Sequence, residues 1–485
     1  MIPREKCGIF GAYTADNDVF PYLYWGMLAQ NHRGHHSHGF AVYNDNIEAY
    51  TCLGLIPTEK SPDQENPVKF LSGKVGVANV RYATSGSSGN EALICDAMPL
   101  YLKGENRSIA ISFNGNIVNV SGLRQRVGLG AESSDTHTLA KLILQTLERG
   151  GDIKAAAKAC MEDVDGSFSI TGITDDGTLF AFKDPVGVKP LCYGVGDGVH
   201  AFSSESVGLD INGISYDHEL IPGELMTIKD EIITKEQVLP WKRQAFCAFE
   251  FAYFARPDSR FNSKYVYQAR TDFGKALARN FGDKVNRCDV CLSIPETAND
   301  AAYGFHEESG LQWEQATRRH RFVTQRAFIS KPSERSDVIR RKVNLLSDRV
   351  KGKYLAVIDD SIVRGDTTKG TVKRFRDAGA KEVHLFITYP RIIAPCFYGI
   401  DMATFSELIG AQMSPEEVAL TVGADSVNYL SVDEYVHETG MPKNKLCLGC
   451  VTGEYPTRMA NQLFREMKER LRRGIKEEGR IYESY

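Results

Sequence analysis

One stretch limits the fold of this chain more than any other: Val357-Ile358-Asp359-Asp360-Ser361-Ile362-Val363-Arg364-Gly365-Asp366-Thr367-Thr368. Leu355 to Ile358 is a short apolar run of the kind that forms a strand buried on both faces. It ends in two carboxylates, passes through hydroxyls and a glycine, and leads into a helical pattern from Thr371 to Ala378. Val383 to Thr388 reads as the next strand; upstream, Tyr267 to Phe281 reads as a helix and Val290 to Ile294 as a strand. This alternation predicts a parallel α/β sheet, whose ligands bind beyond the carboxyl ends of the strands. Two adjacent acids there, beside the N–H groups of a loop and helix start, suit a sugar phosphate with vicinal hydroxyls and a divalent cation. A plain acid pair capping the next helix is the competing reading, and the whole loop argues against it.

The amino-terminal half is built differently. Val75 to Arg81 and Ser108 to Asn116 read as strands and Thr136 to Leu147 as a helix. Asp175-Asp176-Gly177, Asp184-Pro185-Val186-Gly187 and Pro222-Gly223-Glu224 read as turns. A chain of 485 residues has room for about two or three domains, and this texture ends near Pro240-Trp241. The tail from Thr457 is a charged helix with Leu463, Met467 and Leu471 four apart, its charge a solvated face. There is no internal repeat.

Cys7-Gly8-Ile9-Phe10-Gly11 sets a cysteine before a strand-like segment. A cysteine beside glycine is ordinarily structural, but only six residues precede this one. Their removal would free an α-amine with a pKa of about 8, able to act as base beside its own thiol. Arg81 can clamp a carboxylate, Asn114 and Gly115 offer a side-chain amide and an unhindered N–H, and Asp135 can hold an ammonium group. Each also has a bland reading: Asn-Gly is a common hairpin turn and Ser133-Ser134-Asp135 a common helix cap.

Composition removes several classes. Fifty-eight Lys and Arg against 62 Asp and Glu leave a net charge of −4, so no basic field recruits nucleic acid. No stretch approaches the roughly 18 apolar residues of a membrane helix, and the first residues lack a secretory core. A cytoplasmic location is expected, and there eleven cysteines point to metal binding or nucleophilic chemistry rather than disulfides.

Taken in order, Cys7, His32-Arg33-Gly34, Arg81-Tyr82, Asn114-Gly115, Ser134-Asp135-Thr136, Asp184-Pro185, Ser204-Glu205-Ser206 and Pro222-Gly223-Glu224 resemble the class II glutamine amidotransferase domain on the N-terminal-nucleophile hydrolase fold. The resemblance implies that Cys7 attacks the carboxamide of glutamine. Asn114 and Gly115 would stabilise the oxyanion, and Arg81 and Asp135 would grip the α-carboxylate and α-ammonium. The stretch around Asp359-Asp360 resembles the phosphoribosyl pyrophosphate (PRPP) motif of type I phosphoribosyltransferases. More narrowly, with Tyr253 to Ser259, Ile294 to Thr297 and Cys396 to Asp401, it resembles the amidophosphoribosyltransferase family. This implies that Asp359 and Asp360 hold the ribose hydroxyls and Mg²⁺, with Thr297 near the metal. Ser361, Ile362, Val363, Arg364, Gly365, Thr367 and Thr368 would bind the 5-phosphate.

Departures from the family are Asn79 and Phe113 where histidines are usual, read as altered packing. Asp366 stands in place of a neutral residue: unless it points outward, it should weaken phosphate binding. A basic segment, Arg319 to Ile329, is one residue longer and begins with Arg319 instead of lysine. His32, His35, His36 and His38 read as a polar loop rather than a metal site.

Cys447-Leu448-Gly449-Cys450 is a CxxC that needs two more thiolates to bind metal. By resemblance to one branch of the family, Cys247 and Cys396 supply them, for a structural or oxygen-sensing [4Fe–4S] cluster. Zinc is the alternative. That branch also carries a propeptide, here residues 1–6. Cys52, Cys95, Cys160, Cys192, Cys288 and Cys291 are expected in the core.

The expected architecture is a four-layer αββα glutaminase domain over residues 7–240 and a phosphoribosyltransferase α/β domain over 241–430. A segment with cluster ligands and a charged helix follows over 431–485. The expected activity combines glutamine and PRPP to give 5-phosphoribosylamine, with purine nucleotides as inhibitors and a homodimer or homotetramer as the assembly. A non-catalytic PRPP or nucleotide sensor, or an amidotransferase with another acceptor, is the alternative.

Overall fold

The computed structural model describes residues 7–57, 71–82, 90–241, 243–320, 343–475, 477 and 479. The expected propeptide and most of the Arg319 to Ile329 segment lie outside the described residues.

The first domain is two antiparallel sheets face to face. A seven-stranded sheet carries β1 (Gly8–Thr14) at its centre, flanked by β4 (Val75–Arg81), with β2 (Ser37–Asn44) and β3 (Asn46–Leu53) beyond. A six-stranded sheet has β5 (Leu100–Lys103) at its edge, then β6 (Ser108–Ile117), β7 (Gly166–Thr174) and β8 (Leu179–Lys183). Ile9, Val75, Val77, Ala110 and Ile173 fill the space between the sheets. The helix α1 (Phe20–Ala29) covers the first sheet. The helices α2 (Asp135–Glu148) and α3 (Ile153–Asp163) cover the second. Helix, sheet, sheet, helix is the expected four-layer αββα arrangement. Strand alternation explains it: in β6, Ala110 points between the sheets while Ile109 and Ile111 face the helices.

The second domain is a five-stranded sheet with every pairing parallel. Its central strand is β9 (Tyr354–Asp359), between Val290–Ser293 and Glu382–Ile387. Leu355 and Val357 pack on one face with Val372 and Phe375 of α4 (Asp366–Asp377). Ala356 and Ile358 pack on the other, with the helices Val266–Asn280 and Asn299–Ser309. Burial on both faces is why this strand is apolar without alternation.

Two local expectations are corrected, and the strand expected over Ser108 to Asn116 holds. The helix expected from Thr371 begins at Asp366, because Gly365 adopts φ +83° as its N-cap and turns the chain in one residue. Asn114-Gly115 lies in the interior of that strand, β6, rather than in the hairpin turn the dipeptide often marks, with Asn114 opposite Ser169 and Gly115 opposite Phe168. Of the six cysteines expected in the core, Cys160, Cys192, Cys288 and Cys291 are buried; Cys52, on the edge strand β3, is half-buried, and Cys95, ending a short surface helix, is exposed. In the last helix, Arg458–Arg472, Leu463 and Met467 are buried and Leu471 is exposed. No helix among the described residues is long and apolar enough to cross a membrane.

Candidate active sites

Cys7 stands at the head of β1, and the pairing of Gly8 with Val80 sets it beside Arg81 at the same end of the sheet. Alternation from Ile9 and from Val77 turns both residues toward the second sheet. The same rule, counted from Ala110, turns Ser112, Asn114 and Asn116 toward the first. Asn114 is wholly buried, and neither its amide oxygen nor its nitrogen has a hydrogen-bond partner among the described residues. Burying such a group unpaired costs about 1–3 kcal/mol, which a bound group with complementary polar atoms would offset.

Gly115 supplies a second donor by register. Phe168 opposite it exchanges both main-chain bonds with Asp184, N–H to Oδ2 at 2.8 Å and carbonyl from the Asp184 N–H at 3.1 Å. The Gly115 N–H therefore points to the other edge, beyond β5, which pairs only as far as Ile111. Ile117, two residues on, points the same way and donates to Asp135 Oδ2 at 2.8 Å. A Cβ at Gly115 would meet the Ser167 carbonyl and lie 2.8 Å from Phe168 Cα, so no larger residue fits. Ser134 caps α2 and sets Asp135 in its first turn. The helix-cap reading of that motif holds.

Two residues that sequence reasoning missed complete this site. Arg81 Nη2 donates to Asp96 Oδ2 at 3.2 Å, and His137 Nδ1 lies 3.4 Å from Asp96 Oδ1. Burial pushes Asp96 up, but His137 and Arg81 outweigh it and hold the carboxyl below its usual range. The pair holds Arg81 in place at this end of the sheet. Only the position of His137, two residues after Asp135, hinted at this. Asn79 is wholly buried on the interlayer face, with neither amide atom hydrogen-bonded among the described residues. Phe113 faces the α2–α3 core. The histidines turn to different partners: His32 to Glu205 at 2.8 Å, His38 to the Gly54 carbonyl at 3.0 Å, His36 to the ring of Tyr82.

At the carboxyl end of β9, Asp359 Oδ1 accepts the Asp360 N–H at 3.0 Å. Asp360 accepts the Ser361 hydroxyl at 2.6 Å on one oxygen and the Thr297 hydroxyl on the other. Burial, then the neighbouring Asp360 charge, pushes Asp359 well above the ordinary carboxylate range. Burial also raises Asp360, against the pull of those hydroxyls and of Arg270. Two acids held this way gain most from a cation. Ile362 and Val363 are buried in the core and can offer a ligand only main chain. Arg364 Nη2 donates to Glu407 Oε1 at 2.5 Å, a partner the sequence did not suggest. Thr367 and Thr368 lie in the first turn of α4, where free N–H groups gather. Asp366 is exposed to solvent there.

The four cysteines Cys247, Cys396, Cys447 and Cys450 are buried in one apolar cluster. Cys247 and Cys447 face each other in a short parallel pair, Phe246–Cys247 with Leu446–Cys447, and Cys450 follows in the next turn. Burial, then the charges of Cys247, Cys396 and Cys450, raises the Cys447 thiol. Tyr398 N–H donates to Cys396 Sγ at 3.4 Å, and the Tyr389 hydroxyl lies 3.2 Å from Cys450 Sγ. Among the described residues, no group of three or more His, Cys, Asp or Glu is arranged to hold a single metal ion. Asn116 Nδ2 donates to the Phe397 carbonyl at 2.9 Å, tying the Asn114 strand to this cluster.

A model of the glutamine amidotransferase domain matches residues 94–210. The amidophosphoribosyltransferase of Archaeoglobus fulgidus is 36% identical over 458 residues, 93% of this chain and 98% of the relative. That of Bacillus subtilis is 34% identical over 468 residues, 94% of each chain. Among solved structures, the B. subtilis glutamine PRPP amidotransferase complexed with ADP and GMP is similar, with a TM-score of 0.84 at 33% identity over 93% of this chain and 98% of that one. A structure described as the allosteric regulatory enzyme of purine biosynthesis has a TM-score of 0.84 at 32% identity, over 93% and 97%.

Proposed function

The chain belongs to the amidophosphoribosyltransferase family, and we propose that it performs the family's reaction with Cys7 as nucleophile and the Asp359-Asp360 strand end as the PRPP site. Glutamine, PRPP and water give 5-phosphoribosylamine, glutamate and pyrophosphate, the first committed step of purine synthesis. The observation that carries the assignment of residues is the buried amide of Asn114, without a hydrogen-bond partner among the described residues, on the interlayer face opposite the one that presents Cys7 and Arg81.

Cys7 Sγ adds to the carboxamide carbon; the Asn114 amide and Gly115 N–H receive the oxyanion, and ammonia leaves on collapse. Water then releases glutamate from the thioester. With residues 1–6 removed, the Cys7 α-amine takes and returns the proton. Arg81 exchanges Asp96 for the substrate α-carboxylate, and Asp135 faces the ammonium. Ammonia attacks C1 of PRPP while Asp359 and Asp360 hold the ribose hydroxyls, and main-chain N–H groups from Ser361 to Thr368 hold the 5-phosphate. Ammonia passes between the sites without reaching solvent, where it would be protonated.

Mg²⁺ fits the raised, adjacent carboxylates of Asp359 and Asp360 beside the Thr297 hydroxyl. A magnesium site needs only one or two protein carboxylates, because substrate oxygens complete it. When bound it would neutralise the departing pyrophosphate. A [4Fe–4S] cluster fits Cys247, Cys396, Cys447 and Cys450: all four thiols are buried in one apolar cluster, burial and then the neighbouring thiols raise Cys447 and Cys450, and a cationic cluster would relieve that. Zinc at the same four thiolates is the alternative that iron and sulfide analysis separates from the cluster. The cluster would bind the last segment to the domain and carry no electron in the reaction. These thiols and the residues before Cys7 support the cluster- and propeptide-bearing branch. Purine nucleotides as inhibitors and a homodimer or homotetramer complete the reading.

Anaerobic intact-mass measurement with iron and sulfide analysis tests it. Loss of six residues and the mass of four irons and four sulfides are expected. An uncut, iron-free and fully active protein would sink both the processing and the cluster. PRPP binding without glutamine-dependent pyrophosphate release would mark a sensor instead.

A further inference from the structure

Arg33 is among the largest side chains buried completely in the molecule. Its Nε donates to the main-chain carbonyl of Cys7 at 3.2 Å. The rest of the guanidinium is taken by two carboxylates: Nη2 donates to Glu250 Oε1 at 2.9 Å, and Nη1 donates to Glu250 Oε2 at 3.2 Å and to Glu205. Glu250 is 1% exposed and belongs to the second domain's core segment, three residues after Cys247. Glu205 reaches the same segment, accepting the Arg256 N–H at 2.9 Å and the Ser259 hydroxyl at 2.7 Å. The side chain that holds the nucleophile's carbonyl is thus itself held, bidentately, from the other domain.

A buried ion pair is weak evidence of stabilisation, since apolar side chains of the same volume would join the domains as well. An apolar contact could not aim an N–H at one carbonyl. The planar fork does: fixing two nitrogens on Glu250 fixes the direction of the third.

We propose that Glu250 is a positioning residue for glutamine hydrolysis, setting the Cys7 main chain through Arg33 so that its thiol meets Asn114 and Gly115. The glutaminase site is complete only with the second domain docked. This rests on the reading of Cys7 as nucleophile.

The test is Glu250→Gln in the full-length chain, with wild type, Glu250→Asp and Arg33→Lys alongside. Glutamine hydrolysis, ammonia-driven phosphoribosylamine synthesis and iron content are measured on each. Misplacement of the thiol by a fraction of an ångström lowers kcat for glutamine by about 10- to 100-fold, with KM changed by less than about threefold. Ammonia-driven synthesis and iron content stay at wild-type values, and Glu250→Asp falls between. If Glu250→Gln does not yield folded protein, Arg33→Lys carries the same expectation. An unchanged kcat for glutamine, or a parallel fall of both activities, overturns the proposal. A wild-type chain that makes phosphoribosylamine from ammonia but hydrolyses no glutamine overturns the reading of Cys7 itself, and this inference with it.

Discussion

Around Cys7, three buried or half-buried carboxylates are met by guanidinium groups: Glu205 of the first domain and Glu250 of the second by Arg33, and Asp96 by Arg81. At the end of β9, Asp359 and Asp360 stand side by side with hydroxyls and one N–H for company. The difference follows the substrates. A carboxamide gains charge only during reaction, so its site is preorganised and balanced beforehand, with neutral donors aimed where the oxyanion forms. On the proposed assignment, PRPP arrives at Asp359 and Asp360 with its own charge and cation, and the two carboxylates are there to meet the cation.

The sharpest way to separate the two regions is to remove one nucleophile. Cys7→Ala should lower glutamine-driven synthesis by about 10⁴-fold and leave ammonia-driven synthesis intact, since the second site needs only ammonia. Assaying both nitrogen sources on one preparation checks this; equal losses would mean the regions are not separable. Next in size, Asp360→Asn should lower synthesis from either source by about 10²- to 10³-fold. Pyrophosphate release is the measurement, and glutamine hydrolysis alone should persist.

The balanced charge of the first domain has a stability signature. Burial alone would raise Glu205, but His32 and Arg33 bring it well below the usual carboxylate range. A lowered folded pKa adds stability that is fully present above the unfolded value, about 4.5, and is lost as pH falls through the folded one. Glu205→Gln, which leaves Arg33 under-compensated, should cost about 3–5 kcal/mol at neutral pH. Its stability should also fall less steeply than that of wild type below about pH 4.5, as denaturation at several pH values will show. The smallest effect is steric. Gly115→Ala sets a methyl against the Ser167 carbonyl and should cost about 1–3 kcal/mol, with loss of glutamine hydrolysis but not ammonia-driven synthesis.

Much of this was legible from residues alone, though unevenly. The strand before Asp359 was readable because a doubly buried strand must be apolar throughout, and Gly365 marked where the chain had to turn. The start of α4 was not, because threonine and aspartate disfavour helix locally and only packing against the sheet overrides them. The strand over Ser108 to Asn116 was readable although Asn-Gly often marks a turn; the pairing with β7 sets which way each residue points. Asp96 and Glu250 escaped altogether, since an ion pair between distant residues leaves no periodic trace.

Composition and motif order were thus enough for the chemistry each region can perform: a thiol with amide donors, and an acid pair with a phosphate cradle. Those depend on side-chain type and on short-range order along one chain segment. Which way the Gly115 N–H points, which carboxylate aims Arg33 at Cys7, and which cysteine faces which across the Phe246–Cys247 and Leu446–Cys447 pair depend on strand register and domain docking. Long-range packing sets these, and the tertiary structure alone decided them.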